Sequence, residues 1–120
     1  KALRYILDSL GIQLKTVGPK HSSVAMIYNN IGSIYAGKKD FRKGLEYASK
    51  ALLIQLEALG PNHPEVAICY SNIGVFHANL NDRAKGLIYL RKAEKICLAK
   101  LGLDHPTTKM VRSLIGQHNQ

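Results

Sequence analysis

Apolar residues recur along this chain at the spacing of a one-sided helix. Val24, Ile27, Tyr28, Ile31 and Tyr35 follow one another at three- and four-residue intervals, and Val66, Tyr70, Ile73 and His77 repeat the pattern further on. Between the periodic stretches lie short polar breaks, Gly37-Lys38-Lys39 and Asn79-Leu80-Asn81 among them. The pattern predicts one set of helices, called A, over about 22–36, 64–78 and 106–118, and a second set, B, over about 41–58 and 83–100. Helix B would bury Leu45, Ala48, Ala51, Leu52 and positions of the Leu59 type. The punctuation agrees with these limits. Pro64 and Pro106 suit a first helical position, where a missing N–H has no partner to lose, and Glu65 complements the positive end of the helix dipole. Asp40 and Asp82 are suited to cap helix B, and Gly60 and Gly102 to close it with a left-handed residue.

Shifting the sequence by 42 residues superimposes it on itself. Gly18, Gly60 and Gly102 align, as do His21, His63 and His105, Tyr28 and Tyr70, Asn30 and Asn72, Gly32 and Gly74, and Gly44 and Gly86. The triplets Leu3, Leu45, Leu87, then Tyr5, Tyr47, Tyr89, then Ile12, Ile54, Ile96 hold the same register. A fixed period of this length indicates stacked units, each of which buries its apolar face on its neighbours. The breaks inside a unit are too short for anything but an antiparallel hairpin. The chain therefore divides into a helix B over 1–17, full units over 18–59 and 60–101, and a helix A over 102–120. Half-units at both ends lead to the expectation of a piece of a longer array, or of self-association through open ends. Gly32 and Gly74 fall inside helix A, where glycine costs about 1 kcal/mol against alanine, so their repetition predicts close helix approach.

Composition narrows the class. With 46% hydrophobic and 21% charged residues, 120 residues suffice for a packed core. No apolar run is long enough to span a membrane. Cys69 and Cys97 have no metal-ligand spacing, which argues for a reducing compartment and a cytoplasmic location. The net charge of +9 attracts acidic partners but is spread along the helices, as solvated faces are. The run Lys38, Lys39, Arg42, Lys43 reads as a solvated turn and helix start.

Catalytic chemistry finds no constellation. His21, His63 and His105 each stand one unit apart, and packed helices at about 8–10 Å keep them too far from one another to share a metal. They read as polar caps at the start of helix A. The cysteines sit among apolar neighbours, and His77 replaces Tyr35 in the repeat as a near-core variant. No glycine-rich phosphate loop or serine elbow is present. The reading is of a non-enzyme with no cofactor and no metal.

The segments Ala51-Leu-Leu-Ile-Gln-Leu-Glu-Ala-Leu-Gly-Pro-Asn-His-Pro-Glu-Val-Ala67 and Tyr28-Asn-Asn-Ile-Gly-Ser-Ile-Tyr35 resemble tetratricopeptide repeats of the kinesin light chain type. The resemblance implies an all-α, right-handed superhelical solenoid of antiparallel helix pairs whose A helices line a concave groove. It also implies that Asn30 and Asn72 clamp the backbone of an extended peptide, a task that suits an amide with both donor and acceptor. Asn29, Ser33 and Ser71 neighbour that face, while Met26 and Ile68 would form an apolar floor together with Met110. Kinesin light chains read acidic residues around a Trp with basic side chains. Here Met26, Ile68, Ala36 and Ala78 stand where such charges would help, leaving Lys109 and Arg112 as candidate sources of charge.

The leading expectation is a module that binds an extended or helical protein segment. Its alternative is a structural or self-assembly segment of a larger protein. Nucleic-acid binding through the basic charge comes last, because the period exceeds the roughly 35 residues of one-base-per-repeat solenoids and the basic residues lack an interleaved aromatic platform.

Overall fold

The computed structural model describes residues 2–118; the outermost positions of the two end segments, 1 and 119–120, lie outside the described residues. Six helices follow one another: α1 (Ala2–Thr16), α2 (Ser22–Gly37), α3 (Phe41–Leu59), α4 (Pro64–Asn79), α5 (Arg83–Lys100) and α6 (Pro106–His118). They pack as antiparallel pairs, α2 on α3 and α4 on α5, with α1 against α2, α3 against α4 and α6 against α5. The limits predicted for helices A at 22–36, 64–78 and 106–118 and helices B at 41–58 and 83–100 lie within a residue of the observed ones.

The ends of the helices show why. Asp40 Oδ1 accepts the Lys43 N–H at 3.2 Å and Asp82 Oδ1 accepts the Lys85 N–H at 3.1 Å, so each carboxylate satisfies a free donor of the first turn. The three histidines cap helix A through the ring. Nδ1 of His21, His63 and His105 accepts the N–H of Ser23, Glu65 and Thr107 at 3.0, 3.0 and 3.1 Å. Each ring must therefore be lone-pair-bearing at Nδ1. Between the paired helices the chain reverses through one residue of positive φ, Lys39 (65°) and Asn81 (68°). Gly60 departs from the expected left-handed closure: at φ 89° and ψ 163° it occupies an extended region that only glycine tolerates. This swings the chain out of α3 and into the next unit without a further helical turn.

Close approach is achieved by crossing glycines. A Cβ on Gly32 would lie 3.1 Å from the Gly44 carbonyl oxygen, and one on Gly74 would lie 2.7 Å from that of Gly86. The two backbones of each hairpin therefore meet where neither carries a side chain. Around these crossings Ala48, Ile73 and Phe76 form one cluster and Ala25, Ala51 and Cys69 a second. The largest cluster joins Val66, Ala67, Leu90, Ala93, Ile96, Cys97, Val111 and Ile115 from α4, α5 and α6. Burial of the Val, Leu and Ile side chains among them contributes about 1.5–3 kcal/mol apiece. Helix α1 stands apart in having no fully buried residue.

An aromatic ladder repeats beside the crossings. Tyr47 stacks on Tyr35 at 5.7 Å with an interplanar angle of 7°, and Tyr89 stacks in the same way on His77, at 5.6 Å and 8°. His77 thus takes over the ring-stacking position of Tyr35. Lys50 lies over Tyr28 and Tyr47 at 5.6 and 5.5 Å, and Lys92 over Tyr70 and Tyr89 at 5.5 and 5.4 Å. The expectation that cations and aromatics are not interleaved is corrected here. Partners far apart in sequence meet because the hairpin folds α3 and α5 back along α2 and α4.

Candidate binding groove

Positions i, i+4, i+7 share one helix face, and on α2 that face carries Met26, Asn30 and Ser33, all exposed, with Met26 at 53%. The matching face of α4 carries Ile68, Asn72 and Val75, half-buried, and that of α6 carries the exposed Met110 and half-buried Leu114. Helix α4 touches both α2 and α6, so the three faces run side by side. Among the described residues, the side-chain amides of Asn30 and Asn72 enter no hydrogen bond within the chain, whereas Asn29 Nδ2 donates to Cys69 Sγ at 3.4 Å and Asn79 Nδ2 to the Val75 carbonyl at 2.9 Å. Asn30 and Asn72 thus hold unused donors and acceptors one repeat apart, flanked by Met26, Ile68 and Met110.

Four of the candidate residues lie elsewhere. Asn29 turns toward α4 and its Oδ1 is buried. Ser71 is also buried, its hydroxyl donating to the Ile68 carbonyl at 2.9 Å, so it offers nothing to a ligand. Lys109 stands about 100° around α6 from Met110, in the register of the buried Ala25 and Ala67. Arg112 stands about 200° from Met110 and reaches Glu94 at 3.8 Å. Neither basic residue shares the face of Met110, so the groove face carries amides, apolar side chains and, at the start of α4, Glu65, with no basic group among the described residues.

The remaining reactive groups are absorbed by the fold. Cys69 and Cys97 are fully buried. Burial pushes both thiols above the usual cysteine range, opposed by the Asn29 amide at Cys69 and by Thr108 at Cys97. Thiols held in this way are poor nucleophiles. Burial also lowers the basicity of His77, helped by nearby Lys85 and opposed by Asp82. Among the described residues no three His, Cys, Asp or Glu side chains are grouped to hold a metal, and no helix is long and apolar enough to cross a membrane.

One feature outside the groove escaped the sequence reading. A cavity of about 460 Å³ is lined by Asn62, Tyr70, Lys92, Lys95, Ile96, Ala99 and Lys100. Tyr70 lies two residues from both Ile68 and Asn72, hence about 200° around α4, so the cavity opens away from the groove. Its only sequence signal is a departure from the repeat, with Lys95 and Ala99 in the register of Leu53 and Glu57.

The geometry is that of known helical arrays. The chain matches the crystal structure of BtubC (BKLC) from P. vanneervenii with a TM-score of 0.86 and 21% identity over 98% of its length, covering 47% of that chain. It matches a Podosopora anserina protein, described as a kinesin light chain with nearly identical TPR-like repeats, with a TM-score of 0.85 and 16% identity over 98%, covering 56% of that chain. A single-substitution variant of the latter gives a TM-score of 0.76 and 17% identity over 99%, again covering 56% of that chain. The chain therefore spans about half the length of these structures. No curated protein matches it in sequence. Tetratricopeptide repeats are in general protein–protein interaction modules and a typically non-catalytic scaffold. The tetratricopeptide repeat model matches residues 23–98, most of the chain, and with the paired helices and their kinesin light chain-like stacking this places the chain in the tetratricopeptide repeat family.

Proposed function

We propose that this chain binds a segment of a partner protein, extended or helical, in the groove formed by the exposed faces of α2, α4 and α6. The carrying observation is the pair Asn30 and Asn72, whose amides are unengaged among the described residues and stand in the same register one unit apart. An amide can donate to one peptide carbonyl and accept from one peptide N–H, so two of them in register hold an extended backbone without reading its side chains. Met26, Ile68 and Met110 supply an adaptable apolar floor for whatever side chains face inward. The lack of basic residues on this face, with Glu65 at its α4 end, favours apolar partner segments over acidic ones.

The test is a peptide panned from a random library on the folded protein, followed by methyl NMR. Binding in the groove shifts the methyl resonances of Met26 and Met110 together. A peptide that binds while both methyls stay in place contradicts the assignment.

Self-association is the second reading, and α1 favours it. Tyr5 and Ile12 are 73% and 63% exposed, whereas in the same register Tyr47 is half-buried and Ile96 buried. Concentration-dependent sedimentation that is abolished by Tyr5→Ser with Ile12→Ser supports it, and sedimentation as a monomer at all concentrations rejects it.

A further inference from the structure

The cavity lined by Asn62, Tyr70, Lys92, Lys95 and Lys100 is built differently from its counterpart one repeat earlier. There the same register carries Lys20, Tyr28, Lys50, Leu53 and Ala58, and Glu57 where the second unit has Ala99. Lys20 pairs with Glu57 at 3.5 Å, so the first unit supplies its own anion at this place. The second unit removes the carboxylate, adds ammonium groups at 95 and 100, and keeps the aromatic ring and its lysine, Tyr70 and Lys92. Glu94, the acid on α5, is engaged by Arg112 of α6. Three ammonium groups thus share one concavity with no carboxylate among its lining residues.

We infer that this cavity binds a phosphorylated side chain of a protein partner. Lysines serve phosphate as converging point charges, and a phosphoryl group brings nearly two negative charges and three acceptor oxygens to meet them. The Asn62 amide adds a further donor, and Tyr70 with Ile96 offers an apolar wall for the carbon stem that carries the phosphate. At about 460 Å³ the space is larger than a lone carboxylate needs and falls in the range of small-ligand pockets. The site lies on the far side of α4 from Asn72, so it operates independently of the groove.

The experiment is a backbone-amide NMR titration with N-acetyl phosphotyrosine amide, N-acetyl phosphoserine amide and inorganic phosphate in parallel. Saturable shifts are expected at Asn62, Tyr70, Lys92, Lys95 and Lys100, with at least one phosphoamino-acid amide binding about tenfold tighter than inorganic phosphate and weakening with salt. Installing the first unit's residues, Lys95→Leu with Ala99→Glu, is expected to weaken binding about tenfold or more. Both positions are exposed and the replacements already occur in this register, and Lys100→Gln gives a second, milder variant. The reciprocal exchange, Leu53→Lys with Glu57→Ala, is expected to create a second set of shifts around Tyr28. Absence of saturable shifts, equal affinity for inorganic phosphate, tighter saturation by a single-stranded oligonucleotide, or indifference to Lys95→Leu with Ala99→Glu would each overturn the proposal.

Discussion

Gly74 and Gly86 face each other across the α4–α5 crossing so closely that a Cβ on either would reach the other's carbonyl oxygen, at 2.7 Å from Gly74 and 2.6 Å from Gly86. Neither backbone oxygen can swing aside as a side-chain tip could. Gly74→Ala and Gly86→Ala gain about 1 kcal/mol of helix propensity but must separate the hairpin, and overpacking of this kind costs about 1–3 kcal/mol or more. A net loss in urea unfolding is expected for both. Gly32→Ala, with its Cβ at 3.1 Å from Gly44 O, should lose less. Equal stability of the parent and all three variants would show that the crossings relax freely.

Gln55 runs against the usual accounting of buried polar groups. It is fully buried, and neither Oε1 nor Nε2 has a hydrogen-bond partner among the described residues. Its register mates are resolved differently: Gln13 Oε1 accepts from Ser23 Oγ at 2.9 Å, and the third copy is Cys97. Removing an unsatisfied polar group in favour of an apolar one of similar shape recovers about 1–3 kcal/mol of desolvation cost. Gln55→Leu is therefore expected to raise the urea midpoint. A lowered midpoint would mean that the amide is satisfied in solution.

The hydrophobic periodicity and the 42-residue register carried the helices to within a residue because caps, turns and apolar faces all agree locally. Gly32 and Gly74 could be read as points of close approach, but the partners they meet, Gly44 and Gly86, are set by how the hairpin closes. The same limit governs the site. Met26, Asn30 and Ser33 follow from helical spacing alone. Ser71 differs in that the folded chain buries it, and Lys109 in that its register mates Ala25 and Ala67 belong to the packed core clusters. The lysine–tyrosine contacts and the cavity beside Tyr70 needed the folded hairpin, since Tyr70 and Lys92 sit on different helices.

His77 should leave a signature in the pH dependence of stability. Burial and Lys85 hold its folded pKa below the ordinary imidazole value, with Asp82 opposing. The folded chain then binds fewer protons at this ring than the unfolded chain, so unfolding stability rises with pH across the interval between the two values. The contribution is full above the ordinary histidine range and is lost as pH falls through the lowered value. His77→Tyr, which restores the residue found at Tyr35, removes the dependence. Thermal midpoints of the two proteins are expected to diverge in the variant's favour between about pH 7 and pH 5. A constant difference would contradict the lowered pKa.

The most direct test of groove recognition is the affinity of a library-selected peptide for the protein carrying both Asn30→Ala and Asn72→Ala, measured by fluorescence anisotropy beside a Lys95→Leu control on the opposite side of α4. Each lost amide removes up to two hydrogen bonds worth about 0.5–1.5 kcal/mol apiece. The double variant should weaken binding by about tenfold or more while the control binds as the parent does. Unchanged affinity in the double variant would show that Asn30 and Asn72 do not hold the partner and that the protein binds through another face.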